Sequence, residues 1–404
     1  MPTRKKQLRN GRSLWFAFPA PRIKTIPLEP PLATDILIIG AGISGALIGE
    51  LLSAQGYSVL LIDRRGPILG STPASTALVL YEIDTPLIEL RRKIGVEKAI
   101  RAWRRSKLAL DNLRHRTEFL GIRCDMEQRR SLYLAGDLLD EKKLAGEAET
   151  RRAAGFECVL LDRLHLRKAY DIARPAALLS FGDLALNPRL LTAGYLRAAI
   201  ANGAKVIARE EVTALSEGRS GVTAVTKGGG RIRAGVAIYA SGYELPKMVR
   251  DKSLRIASTF VLATRPQKRK LWPGEALIWE ASDPYLYLRT TPDGRIVCGG
   301  EDEDFADEAK RNAMLGAKVV RLRAKLGRLF PAVDTTPDFT WSASFGTSSD
   351  GLPKIGRLPG HRHVYAALGY GGNGITYSRL AAELLATEIA GKEDPDADLF
   401  AFRK

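Results

Sequence analysis

The residues best suited to chemistry in this 404-residue chain lie in two glycine-rich stretches and on one alternating strand. The first stretch is Gly40-Ala41-Gly42-Ile43-Ser44-Gly45. Glycine at 40 permits a tight turn, glycine at 42 lets backbone approach a pyrophosphate, and glycine at 45 lets a helix lie close to a strand. Asp63 follows Gly40 by 63 − 40 = 23 residues, about where an acid meets an adenosine ribose. The second stretch, Gly369-Tyr370-Gly371-Gly372-Asn373-Gly374, again precedes an apolar helix. N–H groups at a helix start stabilise negative charge on a ligand laid against them. Tyr285, Tyr287 and Arg289 alternate, so a strand would put all three on one face, with Phe345 close by. Two phenols, a guanidinium and an aromatic wall suit an amine with an apolar body. The competing reading packs this face on the core and pairs Arg289 structurally.

Other reactive side chains read as structural. Arg64 and Arg65 after the acid, and Asp302, Glu303 and Asp304, read as solvated loops, and Asp63 would repel a 2′-phosphate. The histidines at 115, 165, 361 and 363 show no triad-like setting. Cys124, Cys158 and Cys298 lack metal-ligand or disulfide spacing and read as core residues of a reducing compartment; no metal site is expected.

Positioning these residues requires alternating strands and helices. An apolar strand at 35–39, a helix to about 55 and a second strand at 57–62 frame the first glycines. A small-residue loop follows at 66–76, then a strand at 78–83. Apolar residues at 100, 103, 110, 113 and 120 predict a long amphipathic helix, and a charged helix follows at 139–154. Asn187-Pro188 starts a helix to about 201, and a strand follows at 205–208. Residues 222–226 and 231–234 flank a triple glycine as a hairpin, and 235–240 reads as a further strand. Strands are expected at 259–264, 276–280, 285–289 and 295–299, with a Pro292-Asp293-Gly294 turn. A helix at 308–329, a strand at 363–367 and a helix to 389 complete the reading. Residues 1–33, basic and proline-rich, form an extended arm stapled by Trp15 and Phe16. Residues 34–80, 180–245 and 345–404 are expected to form one discontinuous nucleotide domain. Residues 81–179 and 246–344 are expected to form a substrate domain.

The net charge of +17 comes without a basic block interleaved with aromatics, so nucleic acid is not the expected partner. No stretch approaches membrane-spanning length and no apolar run follows the basic N-terminus, which makes the cytoplasm the expected location.

With these pieces in order, the chain resembles the D-amino-acid oxidase superfamily of FAD-dependent oxidoreductases, which includes glycine, sarcosine and γ-glutamylputrescine oxidases. The matching segments are 40–45 with Asp63, 71–76, 238–242, 350–356 and 369–374, within about 34–400. The resemblance implies an α/β fold: an FAD-binding Rossmann-like domain with an inserted, mainly antiparallel β-sheet plus helices as substrate domain. It implies FAD contacts from Gly40, Gly42, Ile43, Ser44, Gly45, Asp63, Arg64, Ser71, Ser75, Thr76, Val212, Ser241 and Gly242. Gly371, Gly372, Asn373, Gly374 and Ile375 would meet the flavin's N1/C2=O edge, and Tyr285, Tyr287, Arg289 and Tyr370 would face the substrate.

Three positions depart from the family pattern. Phe345 stands where glycine oxidase and its near relatives carry a carboxylate-gripping arginine, and Tyr370 where many relatives have histidine. Ala343 lies near the cysteine of covalent-flavin sarcosine oxidases, so non-covalent FAD is expected. The implied reaction oxidises a primary or secondary amine or amino acid to the imine, by hydride transfer to flavin N5, with O2 reoxidising the flavin. The alternatives are a dehydrogenase passing electrons to a quinone or protein, an oxidase of modified tRNA, and a redox-inert flavin-binding protein.

Overall fold

The computed structural model describes residues 3, 5–29, 32–249, 251–268 and 271–403. Arg4, Pro30 and Pro31, which belong to the expected arm, lie outside the described residues. Two sheets organise the chain. The eight-stranded sheet runs Lys354–Arg357, Val364–Leu368, Arg231–Tyr239, Leu32–Ile39, Val59–Asp63, Lys205–Ala208, with Val212–Glu217 and Val222–Thr226 added beside Arg231–Tyr239. Its five strands from Val364–Leu368 to Lys205–Ala208 are parallel, as near-continuous apolar runs buried on both faces require. Residues 231–234 and 235–240, expected as two strands, form a single one. Gly235 permits this, because a Cβ there would come 2.9 Å from the Asp35 carbonyl oxygen of the adjacent strand.

The ten-stranded sheet is ordered Arg9–Gly11, Pro337–Ser348, Leu254–Thr264, Ile296–Glu303, Leu286–Thr290, Leu277–Glu280, Glu127–Leu134, Ala176–Ala185, Leu78–Val79, with Cys158–Asp162 against Ala176–Ala185. Its pairings are antiparallel except that of Leu277–Glu280 with Glu127–Leu134. The expected domain limits at 180 and 345 fall inside two of its strands. Helix Glu308–Leu329 starts on Asp307, whose carboxylate accepts the Lys310 N–H at 2.9 Å. Val319, Leu322 and Leu326 then bury its apolar stripe against Phe260, Leu262 and Leu288 of this sheet.

The helices after the two glycine stretches, Ile43–Ala54 and Gly374–Ile389, pack on one another. The hydroxyls of Ser44 and Ser378 meet at 2.9 Å across that contact. Two segments more than 300 residues apart are thereby fixed side by side. The arm crosses both sheets: Arg9–Gly11 pairs with Pro337–Ser348, and Ile26 bridges to Ile207. Trp15 Nε1 donates to the Ser75 carbonyl oxygen at 2.6 Å, and Phe16 lies between the guanidinium groups of Arg9 and Arg189. The arm is thus stapled by both aromatic residues. Among the described residues no helix is long and apolar enough to cross a membrane.

Candidate active site

One cleft, enclosing about 1740 Å³ of atom-free space out to its open mouth, brings the two glycine stretches together. At one end a Cβ on Gly45 would fall 1.9 Å from the Gly40 carbonyl oxygen, and one on Gly40 would fall 2.3 Å from that of Ala240. Both glycines are therefore required for close backbone approach; Gly45 supports the turn from behind and does not line the cleft. Gly42 lines it and caps helix Ile43–Ala54 without a side-chain cap of its own, leaving first-turn N–H groups beyond that of Ile43 for a ligand. Thr72 Oγ1 accepts the Ile43 N–H at 3.0 Å, joining the 71–76 loop to this turn. Ser71, Ser75 and Thr76 line the cleft from that loop, and the Ser71 hydroxyl is buried with no partner among the described residues.

Asp63 closes the other side of the turn. Its carboxylate accepts the N–H groups of Ala41, Arg65 and Gly66 at 2.9, 2.8 and 3.1 Å. Burial nevertheless raises its pKa, those N–H groups and Arg65 offsetting part of the rise. Arg64 and Arg65 do not form the solvated loop expected of them. Arg64 binds Glu211 at 2.9 Å and Glu244 at 2.5 Å, and Arg65 binds Glu244 at 2.6 Å. The strand end at Val212 and the turn at Ser241 and Gly242 bring these acids into reach. A pair of guanidinium groups so neutralised is poorly placed to select a 2′-phosphate.

The second glycine stretch is only partly free. The Gly371 N–H is taken by the Gly346 carbonyl at 2.7 Å and the Gly372 N–H by Asp84 Oδ2 at 2.7 Å. Asn373 turns its amide onto the carbonyls of Leu80 and Glu82, so its side chain fastens the 80–84 segment and is not offered to a cofactor. Backbone at Gly374 and Ile375 remains to meet a ligand at the helix start.

The far end of the cleft is aromatic and acidic. Trp279 and Tyr287 are cross-strand neighbours, the Tyr285 and Tyr287 rings lie 5.3 Å apart, and Tyr287 Oη meets Thr259 Oγ1 at 3.1 Å. Gly299 makes room, since a Cβ there would come 2.5 Å from the Tyr287 ring. Tyr243 and Phe345 complete the walls, with Trp279 Nε1 buried and unpartnered among the described residues. Tyr370, expected to face the substrate, lines the cleft but directs its buried hydroxyl toward Ser44 and Ser378. Burial drives the Tyr285 and Tyr287 phenols well above their ordinary pKa, so both remain neutral donors.

Two side chains change the expected picture of this end. Arg289 lies on the same face as the tyrosines but beneath the 71–77 loop. It is 2% exposed, and its guanidinium donates to the carbonyls of Thr290, Ala77 and Leu186 at 2.8–2.9 Å. Burial lowers its pKa to about 10, and it does not line the cleft. Asp302, expected in a solvated loop, lines it. The reason is a bulge: Ser258 to Phe260 on one strand oppose Glu303 to Gly300 on the next, and Gly300 and Glu301 have φ of +136° and +56°. Glu301 consequently faces Lys318 and Lys325 on the outer helix, whereas Asp302 stays on the cleft side. Burial pushes the Asp302 pKa up to about 7, the Thr259 and Tyr285 hydroxyls offsetting part of the rise. Of its neighbours, Glu303 pairs with Lys318 and Asp304 is exposed as expected. Asp84 keeps accessible surface because it faces the cleft, yet the walls around it raise its carboxyl pKa. Asp84 and Tyr243 carried no signal in the sequence beyond their types; the Gly299-Gly300 pair was the available sign of a bulge before Asp302.

A parallel sheet with a glycine turn before a helix, joined to an antiparallel sheet across one cleft, defines a dinucleotide-binding enzyme of two-sheet architecture. The family of FAD dependent oxidoreductases known as DAO matches residues 35–388, and the chain belongs to it. It is an oxidoreductase with FAD as its cofactor, and the glycine cradle, the free helix N-terminus and the unpartnered Ser71 hydroxyl fit that group. The chain is 22% identical over 400 residues to a probable oxidoreductase, OrdL, of Haemophilus influenzae, covering 95% of this chain and 88% of that protein. It is 23% identical to the γ-glutamylputrescine oxidoreductase of Escherichia coli, covering 92% and 86%. Among solved structures, glycine oxidase from Geobacillus kaustophilus superposes with a TM-score of 0.76 at 21% identity, covering 92% and 99% of the two chains. That likeness establishes the shared fold.

Proposed function

We propose that this protein oxidises a primary or secondary amine or an amino acid to the imine, using non-covalently held FAD and O2 as electron acceptor. When bound, FAD supplies the hydride acceptor, flavin N5, and passes the electrons on. The observation that carries the reading is the single cleft running from the glycine turns to a wall of phenols and carboxylates. Gly40, Gly42, Ser44 and Ser71 would hold the pyrophosphate, Asp63 the adenosine ribose, and Gly374 and Ile375 the flavin's polar edge. The three cysteines are buried outside the cleft lining, which favours a non-covalent cofactor. Phe345, together with the remote Arg289, leaves the aromatic end without the cation that would grip a substrate carboxylate. Asp84, held by the Gly372 N–H and raised in pKa by burial, is placed to take a proton from a bound ammonium. Tyr285 and Tyr287, neutral and adjacent, orient the amine body.

The test is anaerobic mixing with a panel of amines and amino acids, followed by oxygen. Loss of the flavin's visible absorbance supports amine oxidation, and persistence of the colour with every compound defeats it. Rapid return of the colour on oxygenation identifies an oxidase; very slow return identifies a dehydrogenase that serves a quinone or protein. A second reading, oxidation of a modified tRNA, rests on the charge of +17 and on a relative. That relative is the tRNA 5-methylaminomethyl-2-thiouridine biosynthesis bifunctional protein of Burkholderia thailandensis, 27% identical over 93% of this chain and 60% of its own length. Salt-dependent affinity for bulk tRNA tighter than about micromolar would favour it.

A further inference from the structure

The aromatic end of the cleft has more negative charge than oxidation of a simple amine requires. Asp84 and Asp302 both line it, and the charge of Asp84 is felt at Asp302. The basic residues nearest in sequence and space do not answer them. Arg64 and Arg65 line the opposite end and are engaged by Glu211 and Glu244. Lys318 and Lys325 lie behind the bulge and are engaged by Glu301 and Glu303, and the Lys318 charge offsets only a minor part of the rise in the Asp302 pKa. Arg289 is buried on main-chain carbonyls. Among the described residues that line the aromatic end, none is Lys or Arg.

Two further observations mark this end as built for a ligand. Asp302 Oδ1 is closed off from solvent and forms no hydrogen bond among the described residues, although the Thr259 and Tyr285 hydroxyls are near enough to lower its pKa. Trp279, 6% exposed, lines the same end of the cleft with Nε1 also unpartnered among the described residues. A carboxylate oxygen kept dry beside three aromatic rings is costly alone and favourable only when a cation completes it. The bulge that aims Asp302 inward is therefore a specificity device, since a regular strand would have alternated it with Glu301 toward the outer lysines.

We infer that the substrate is an amine with a second fixed positive charge, a diamine or polyamine, whose distal ammonium is held by Asp302 among Trp279, Tyr285 and Tyr287. The inference rests on the amine-oxidation reading and deepens it. Asp84, against the second glycine stretch, meets the reacting amine, and Asp302 meets the distal one. Two ammonium groups then match two carboxylates. An α-amino acid, by contrast, would bring a carboxylate into an end that already holds two.

The test is calorimetric titration of the FAD-loaded protein, under anaerobic conditions, with 1,4-diaminobutane, n-butylamine and 4-aminobutanoate. The diamine is expected to bind at least about tenfold more tightly than butylamine, with aminobutanoate weaker still. Asp302→Asn keeps the volume and should remove about tenfold of the diamine's affinity while moving butylamine less than about twofold. Equal binding of diamine and monoamine, or tightest binding of aminobutanoate, overturns the proposal. So does an Asp302→Asn protein that still discriminates. Should that variant not fold, the three ligands on the unmodified protein decide alone. Flavin bleaching in the same samples separates the two claims. Selective binding without bleaching preserves the cation site and defeats amine oxidation; bleaching by all amines without selectivity does the reverse.

Discussion

Replacing Asp302 by Asn should stabilise the protein, and should do so only above acidic pH. Burial raises the Asp302 carboxyl from 3.8 to about 7 in the folded chain. Between those values the folded state holds a proton that the unfolded state has already released. More protons bound in the folded state means that stability falls as pH rises through this window and levels off above about 7. Three pH units at about 1.4 kcal/mol each give a cost on the order of 4 kcal/mol by pH 8. Asn carries no such cost and keeps the side-chain volume. Asp84 in the cleft and Lys318 behind it are present in both proteins, the Tyr285 and Tyr287 phenols stay neutral throughout, and their contributions largely cancel in the difference. The assay is thermal unfolding of both FAD-loaded proteins at pH 4, 6 and 8 without amine. The melting temperatures should nearly coincide at pH 4 and separate by roughly 4–8 °C at pH 8, with the variant higher. A difference that does not grow with pH, or a variant less stable at pH 8, would refute the assignment of Asp302 as a strained, ligand-awaiting carboxylate. Excess diaminobutane should narrow the gap at pH 8 by stabilising the unmodified protein.

Other expectations concern the remaining parts of the site. Arg289→Ala removes a buried guanidinium that serves three carbonyls. It should cost about 3–5 kcal/mol in denaturant unfolding while leaving the relative KM values of anionic and cationic substrates unchanged. A selective rise in KM for anions would put Arg289 back at the substrate. Gly42→Val, whose side chain would crowd Thr72 and the phosphate approach, should yield folded protein without bound flavin, read by absorbance; full yellow colour contradicts the cradle. Activity under subsaturating amine should rise with pH as the substrate loses its proton, and a flat profile between about pH 7 and 10 would count against transfer from a neutral amine.

The cofactor half of the molecule was legible because its signals are local. Strand, glycines, helix and acid follow one another within 63 − 35 = 28 residues, and the roles of Gly40 and Gly45 each reduce to one short backbone contact. Helices 188–201 and 308–329 were equally readable from Asn187 with Pro188 and from a regular apolar stripe. The substrate half was harder. Strands Glu127–Leu134, Ala176–Ala185 and Pro337–Ser348 have sequence-distant partners and weak alternation, and none was anticipated. Alternation correctly put Tyr285, Tyr287 and Arg289 on one face. It cannot say that the cleft ends between the second and third of them. Asp302 was missed because a two-residue period assumes regular pairing, and a left-handed residue at 301 breaks it. Arg64 and Arg65 were misjudged because their partners, Glu211 and Glu244, arrive from about 150–180 positions downstream.

The N-terminal arm reaches into this arrangement from outside. Lys6 gives its N–H to Glu244 at 2.7 Å, the acid that neutralises Arg64 and Arg65, and Trp15 holds the loop carrying Ser71, Ser75 and Thr76. Ser13 reaches the carbonyl of Pro73 in the same loop. Anyone who trims the basic segment to simplify crystallisation, or fuses a bulky tag before it, tugs on the latch of the adenosine compartment. Pale preparations from such shortened chains would then report a loosened cofactor, even with every glycine of the cradle intact.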